Sequence, residues 1–252
     1  MDLLWFLRRR LDFGDRLYDQ TTAPFQETIR KINAGEPPFE YVGDPDYVGS
    51  DPPFLEEYQQ AAESIEVIGH WCLCMVYASL RAYLEEYLAE MARDYRQAFE
   101  DLPARLASKK AKSWFERHRL LFLDEMGIDW RKGPVKLEDL EHLNLARDDV
   151  THNVDVMSIY AYQTERHAAR YPKGLFIDDL WSRLNLGGRI RVGRDELSQA
   201  LGMGGDFCAW LEEIRNRYPA YVRTFATIAD SEPPTKPRKI PDLRRSWREE
   251  SV

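Results

Sequence analysis

Arg147 and His152 lie five positions apart in the run Leu143-Asn144-Leu145-Ala146-Arg147-Asp148-Asp149-Val150-Thr151-His152-Asn153. A guanidinium stays charged in neutral solution and can grip two phosphate oxygens with its planar fork. An unperturbed imidazole titrates near pH ~6.5, so it can take or give a proton under the same conditions. These groups meet the needs of phosphodiester cleavage by a neighbouring 2′-hydroxyl: a base for the hydroxyl proton, a cation for the charge gathering on phosphate, and an acid for the leaving 5′-oxygen. Such a reaction needs neither metal nor cofactor, and it leaves a 2′,3′-cyclic phosphate and a 5′-hydroxyl.

A helical setting constrains how these groups cooperate. Positions five apart diverge by roughly 140° around the helix axis, so Arg147 and His152 do not stack on one face. Asp148 and His152, four apart, do share a face, which lets Asp148 orient or charge the imidazole. Asn144 and Asn153 flank the pair and could bind phosphate or sugar, although such residues more often cap or end a helix. The plain alternative makes Arg147 and Asp149 solvated surface charges and His152 a helix-end histidine.

Arg-x-x-x-x-His with a polar residue directly after the arginine resembles the signature of the HEPN family, the higher eukaryote and prokaryote nucleotide-binding domains. The resemblance implies an all-α fold and a metal-independent endoribonuclease, acting as a toxin or in antiviral defence. It implies catalytic roles for Arg147 and His152, with Asp148 standing where active relatives commonly carry asparagine. It also implies a homodimer whose two motifs meet in one cleft, one histidine acting as base and the other as acid. One branch of the family carries a tyrosine two positions after the histidine, which a partner antitoxin modifies. Val154 stands there in this chain, so the expected regulator is another antitoxin or a defence-system protein. Two other readings compete: a catalytically silent member of the same fold that binds or neutralises a partner, and a helical adaptor with no phosphate site.

The elements that must position the motif are legible as helices. Ala61, Ile65, Ile68, Cys72, Met75, Val76, Leu80, Tyr83, Leu84, Tyr87, Leu88 and Met91 recur at spacings of three and four, which predicts one very long helix from about residue 54 to 99. A second amphipathic segment follows Lys109, Lys110 and Lys112, running from Trp114 to Met126 with Gly127 as its cap. After Pro134 begins the helix that holds the motif, with Leu137, Leu140, Leu143 and Val150 on its inner side and Glu138 and Asp139 in its first turn.

The flanks are less regular. Residues 1–33 are expected as helix in pieces, with Thr21, Thr22 and Pro24 as a cap and first turn. The apolar start through Leu7 is expected to pack on the body. Gly and Pro at positions 35, 37, 38, 43, 45, 49, 52 and 53 predict a connecting arm. Residues 175–177 and 189–192 predict a small hairpin around a short helix, with Asp178-Asp179 as that helix's cap. Asp195 is expected to cap a helix ending at Gly202, and Asp206 a last one that Pro219 kinks or restarts. The tail from Ser231 is proline-rich and basic, with Lys236, Arg238, Lys239, Arg244, Arg245 and Arg248, and is expected to be disordered. The resulting division is an N-terminal arm and connector at 1–53, a helical domain at 54–230 and the tail at 231–252.

Composition narrows the function classes. With 35 Lys and Arg against 43 Asp and Glu in 252 residues, the net charge is −8. That argues against a protein coating nucleic acid by bulk electrostatics, while leaving room for a local basic cleft. Three cysteines make no disulfide framework and point to a reducing compartment. The basic cluster Arg8-Arg9-Arg10 follows a short apolar run, the reverse of a secretory signal, and no stretch looks like a membrane span. A cytoplasmic location and no membrane partner are expected. His70, Cys72 and Cys74 lack a fourth ligand and a common face, so core packing is the better reading. Gly202, Gly204 and Gly205 lack the Lys and Ser or Thr of a phosphate loop. Arg131, Lys132 and Lys109 to Lys112 could line an RNA path, with solvated surface as the default.

Overall fold

The computed structural model describes residues 2–40, 52–95, 102–111, 113–152, 160–171, 173–178 and 188–229. Over these residues the chain is all-α, as expected. The helices are α1 (Leu3–Ala34), α2 (Leu55–Asp94), α3 (Leu102–Ser108), α4 (Trp114–Met126), α5 (Leu137–His152), α6 (Glu165–Arg170) and α7 (Arg194–Ala229). A 3₁₀ turn at Trp130–Lys132 precedes α5, and two two-residue strands, β1 (Ile177–Asp178) and β2 (Arg189–Ile190), precede α7. The tail from Ser231 and most of the connector lie outside the described residues.

Two compact units make up the chain, one of Met1–Phe6, Leu80–Leu137 and Gly205–Val252, the other of Leu7–Ser79 and Glu138–Gly204. In the first, an aromatic cluster forms the core. Trp130 is wholly buried, with Phe115, Phe122 and Phe207 meeting it edge-on at 5.0–5.3 Å between centroids. Tyr83 and Tyr87 of α2 donate their hydroxyls to the carbonyls of Cys208 and Leu211 in α7, both at 3.1 Å. α4 is bounded as its sequence suggests. Ser113 accepts from the Glu116 N–H, and Gly127 takes φ 69°, its N–H returning to Leu123. A left-handed residue with no Cβ closes a helix at little cost.

In the second unit α1, the first part of α2, α5, α6 and the hairpin come together. The helix expected at 54–99 is observed as the 40 residues of α2, and Ala61, Cys72, Val76, Leu80, Tyr83, Leu84, Tyr87, Leu88 and Met91 are buried along it. An 18-residue stretch of α2 is apolar enough to cross a bilayer by length and composition, where the sequence suggests none; 56% of it is buried inside the fold.

Two expectations about helix boundaries are corrected. α1 is one helix with Pro24 inside it, so Thr21, Thr22 and Pro24 start nothing. Thr22 is wholly buried and donates its hydroxyl to the Tyr18 carbonyl one turn back at 2.8 Å. Burial of Leu3, Leu7, Leu11 and Tyr18 on one face outweighs the one backbone bond that proline removes. Likewise α7 runs unbroken through Gly202, Gly204, Gly205 and Pro219, because Leu197, Ala200, Phe207, Cys208 and Leu211 are all wholly buried along it. Asp178 lies in β1, and the short helix expected after it falls outside the described residues.

The small hairpin is antiparallel, with Ile177 opposite Ile190 and Asp178 opposite Arg189. It is fastened to α2 by polar contacts. Arg189 pairs with Glu66 through Nε at 2.9 Å and lies 3.6 Å over the Tyr160 ring. The Tyr160 hydroxyl donates to Glu63, and His70 Nε2 donates to the Ile190 carbonyl at 3.0 Å. His70 is therefore a satisfied core histidine. Burial holds it below its ordinary titration range.

Candidate functional site

The last three turns of α5 carry Asn144, Arg147, Asp148, Asp149 and His152. Leu140, His142, Leu143, Asn144, Ala146 and Asp149 are buried, a buried set more polar than the leucine periodicity suggests. Val150, expected inside, is only half-buried.

Arg147 is 30% exposed and rests 5.1 Å over the ring of Tyr77 in α2. The Tyr77 hydroxyl in turn donates to Asn144 Oδ1 at 2.8 Å, a bond buried from water. Asn144 is thus a fixed brace for the aromatic shelf under Arg147 and not a free phosphate ligand. Arg147 Nη1 also donates to Asp148 Oδ1 at 2.8 Å. The carboxylate of Asp148 is therefore turned to the arginine beside it rather than to His152.

His152 ends the helix and is exposed. Among the described residues no hydrogen bond or ion pair holds its ring. Thr151 bonds back to the carbonyls of Arg147 and Asp148 at 3.0 and 3.2 Å, closing the last turn. Asn153 lies outside the described residues.

Asp149 corrects the plain alternative, which made it a surface charge. It is 2% exposed, and its Oδ1 accepts from the Thr164 N–H at 3.2 Å and from His167 Nδ1 at 2.8 Å. Burial raises the carboxyl's proton affinity, while the histidine and the Thr164 amide lower it. His167 sits on α6, whose N-cap Thr164 accepts from the His167 N–H. The pairing thus brings a second imidazole, fifteen residues beyond the first in sequence, to the same stretch of α5.

Nearby, His142 is buried and stacks on Tyr171 at 5.6 Å and 15°. Its Nε2 has no partner among the described residues, and burial lowers its pKa to about 4. The sequence reading missed both His142 and His167. The Thr164-to-His167 spacing marks a cap, but nothing local says that a carboxylate faces the ring.

His70, Cys72 and Cys74 do not converge, and no group of three or more His, Cys, Asp or Glu that could hold a metal occurs among the described residues. Cys72 bonds weakly to the Gly14 carbonyl at 3.9 Å, and burial pushes its thiol up to about 11. No family model, curated protein or solved structure matches the chain. The site must be read from its own geometry.

Proposed function

We propose that the chain is a metal-independent endoribonuclease of a toxin or antiviral defence system, with Arg147 binding phosphate and His152 moving a proton. The observation that carries this reading is the shelf of Tyr77 and Asn144 beneath Arg147. It holds a partly exposed guanidinium at one end of α5, five residues before an exposed imidazole with no described partner. A guanidinium so braced loses little freedom on binding, which suits it to phosphate. In the reaction the 2′-oxygen attacks phosphorus and the bond to the 5′-oxygen breaks, one imidazole taking the hydroxyl proton and another protonating the leaving oxygen. Pairing of two copies, with the motifs facing, completes the composite cleft.

The ion pair of Arg147 with Asp148 favours a second reading, a catalytically silent member of the fold that binds or neutralises a partner. Phosphate must displace that carboxylate before it can use the fork.

The test is to incubate the purified protein with end-labelled RNA in excess chelator, beside Arg147→Ala and His152→Ala. Fragments bearing 2′,3′-cyclic phosphate and 5′-hydroxyl ends, lost in both variants, are expected. Intact RNA, or equal cleavage by all three proteins, overturns the proposal.

A further inference from the structure

We propose that His167 is the general base of this site, with Asp149 as its positioning residue and His152 as the acid. The assignment rests on the RNA-cleaving reading but changes where the second imidazole comes from.

Three observations carry it. His167 Nδ1 lies 2.8 Å from Asp149 Oδ1, and no described residue hydrogen-bonds its Nε2. The His167 side chain keeps 16% of its surface exposed while the carboxylate is 2% exposed. A buried carboxylate on one ring nitrogen fixes the tautomer that leaves a lone pair on the other. Asp149 also stands three residues before His152 on α5, so the two project from neighbouring turns of one side of the helix. His167 therefore holds the Asp149 carboxylate, and His152 stands one turn further along the same helix. Asp148 is the other charged group acting on Asp149, and its carboxylate is occupied by Arg147.

In this arrangement Nε2 of His167 takes the 2′-hydroxyl proton as the new bond from the 2′-oxygen to phosphorus forms. His152 gives a proton to the 5′-oxygen as its bond to phosphorus breaks. Proton transfer then restores both rings, with no oxidant, reductant or water consumed. Here the second imidazole comes from α6 of the same chain, so the pairing of two copies is not required to supply it.

The deciding experiment compares wild type, His152→Ala and His167→Ala on ordinary RNA and on RNA with sulfur at the scissile 5′-bridging position. A thiolate leaves without protonation, so loss of the acid is masked and loss of the base is not. His167→Ala is expected to lose about 10²–10⁴-fold on both substrates, and His152→Ala to recover on the sulfur substrate. Recovery of His167→Ala by sulfur, or wild-type rates for it on ordinary RNA, overturns the assignment while leaving cleavage by Arg147 and His152 standing. Wild-type protein inert on both substrates removes the RNA-cleaving reading and this one with it. Should His167→Ala lose its helical circular dichroism, Asp149→Asn decides. It keeps a partner for Nδ1 but removes the charge that steadies the imidazolium as the proton is taken, so kcat falls on both substrates while KM holds. An unchanged kcat overturns the role given to the pair.

Discussion

The guanidinium carbon of Arg147 lies 5.1 Å from the centroid of the Tyr77 ring, and the hydroxyl of that tyrosine is spent on buried Asn144. The ring and the hydroxyl therefore serve different ends, and single substitutions separate them. Tyr77→Phe keeps the shelf but strands the Asn144 oxygen, and is expected to cost about 1–3 kcal/mol in urea unfolding. Arg147→Ala should leave stability nearly unchanged and lower RNA cleavage by about 10²–10³-fold, with Arg147→Lys recovering only part of the loss because it lacks the fork.

Asp148 competes with phosphate for Arg147. The pair is 30% and 37% exposed, so water screens it and its strength is at most about 1 kcal/mol. Asp148→Asn should tighten single-stranded RNA binding by a few-fold, measured by fluorescence anisotropy at constant salt. Weaker binding would show that the carboxylate holds the arginine in its useful pose.

Acid should destabilise the fold through its buried histidines. Burial lowers the pKa of His142 to about 4 and depresses His70 and His118. The unfolded chain binds protons near pH ~6.5 that the folded chain refuses, so stability is full above that pH and falls towards about 4. The His142 contribution is on the order of a few kcal/mol. Urea midpoints measured from pH 7 to pH 4 should show the slope, and His142→Leu should flatten it, leaving the share of His70 and His118. The substitution also removes the unpartnered Nε2.

Gly69 in α2 reverses the usual helix rule. Alanine in a helix interior is ordinarily about 1 kcal/mol better than glycine. Here a Cβ would run into the Val192 backbone carbonyl, which no rotamer can relieve. Gly69→Ala is expected to lower the thermal midpoint, at a cost of roughly 1–3 kcal/mol. Gly202→Ala, which would meet nothing within 4 Å, should raise it.

How much of this was legible depended on whether the deciding contact was local. The three-and-four spacing of α2 and the left-handed cap at Gly127 are set by neighbours in sequence, and the residues alone predict them. Pro24 and Gly202 mislead because their local cost is overridden by burial of Tyr18, Leu197 and Phe207, which only the packed fold supplies. At the site, Arg147, Asp148 and His152 were legible as residue types. The pairing of Asp149 with His167 was not, since a carboxylate followed by a half-exposed residue in a helix looks solvated until its partner arrives from α6. The leucine pattern of α5 likewise hides that His142 and Asn144, on different sides of the helix, are both buried.

Tyr83 and Tyr87 reach the carbonyls of Cys208 and Leu211 in ascending order on both strands of the contact, so α2 and α7 point the same way there. Two phenols four apart, reading two carbonyls three apart, work as a vernier. One residue inserted between the tyrosines swings one hydroxyl by about 100°, away from the carbonyl it reads. Register of the last helix is therefore fixed to the single residue, whereas either helix can be lengthened outside that gauge without disturbing the reading.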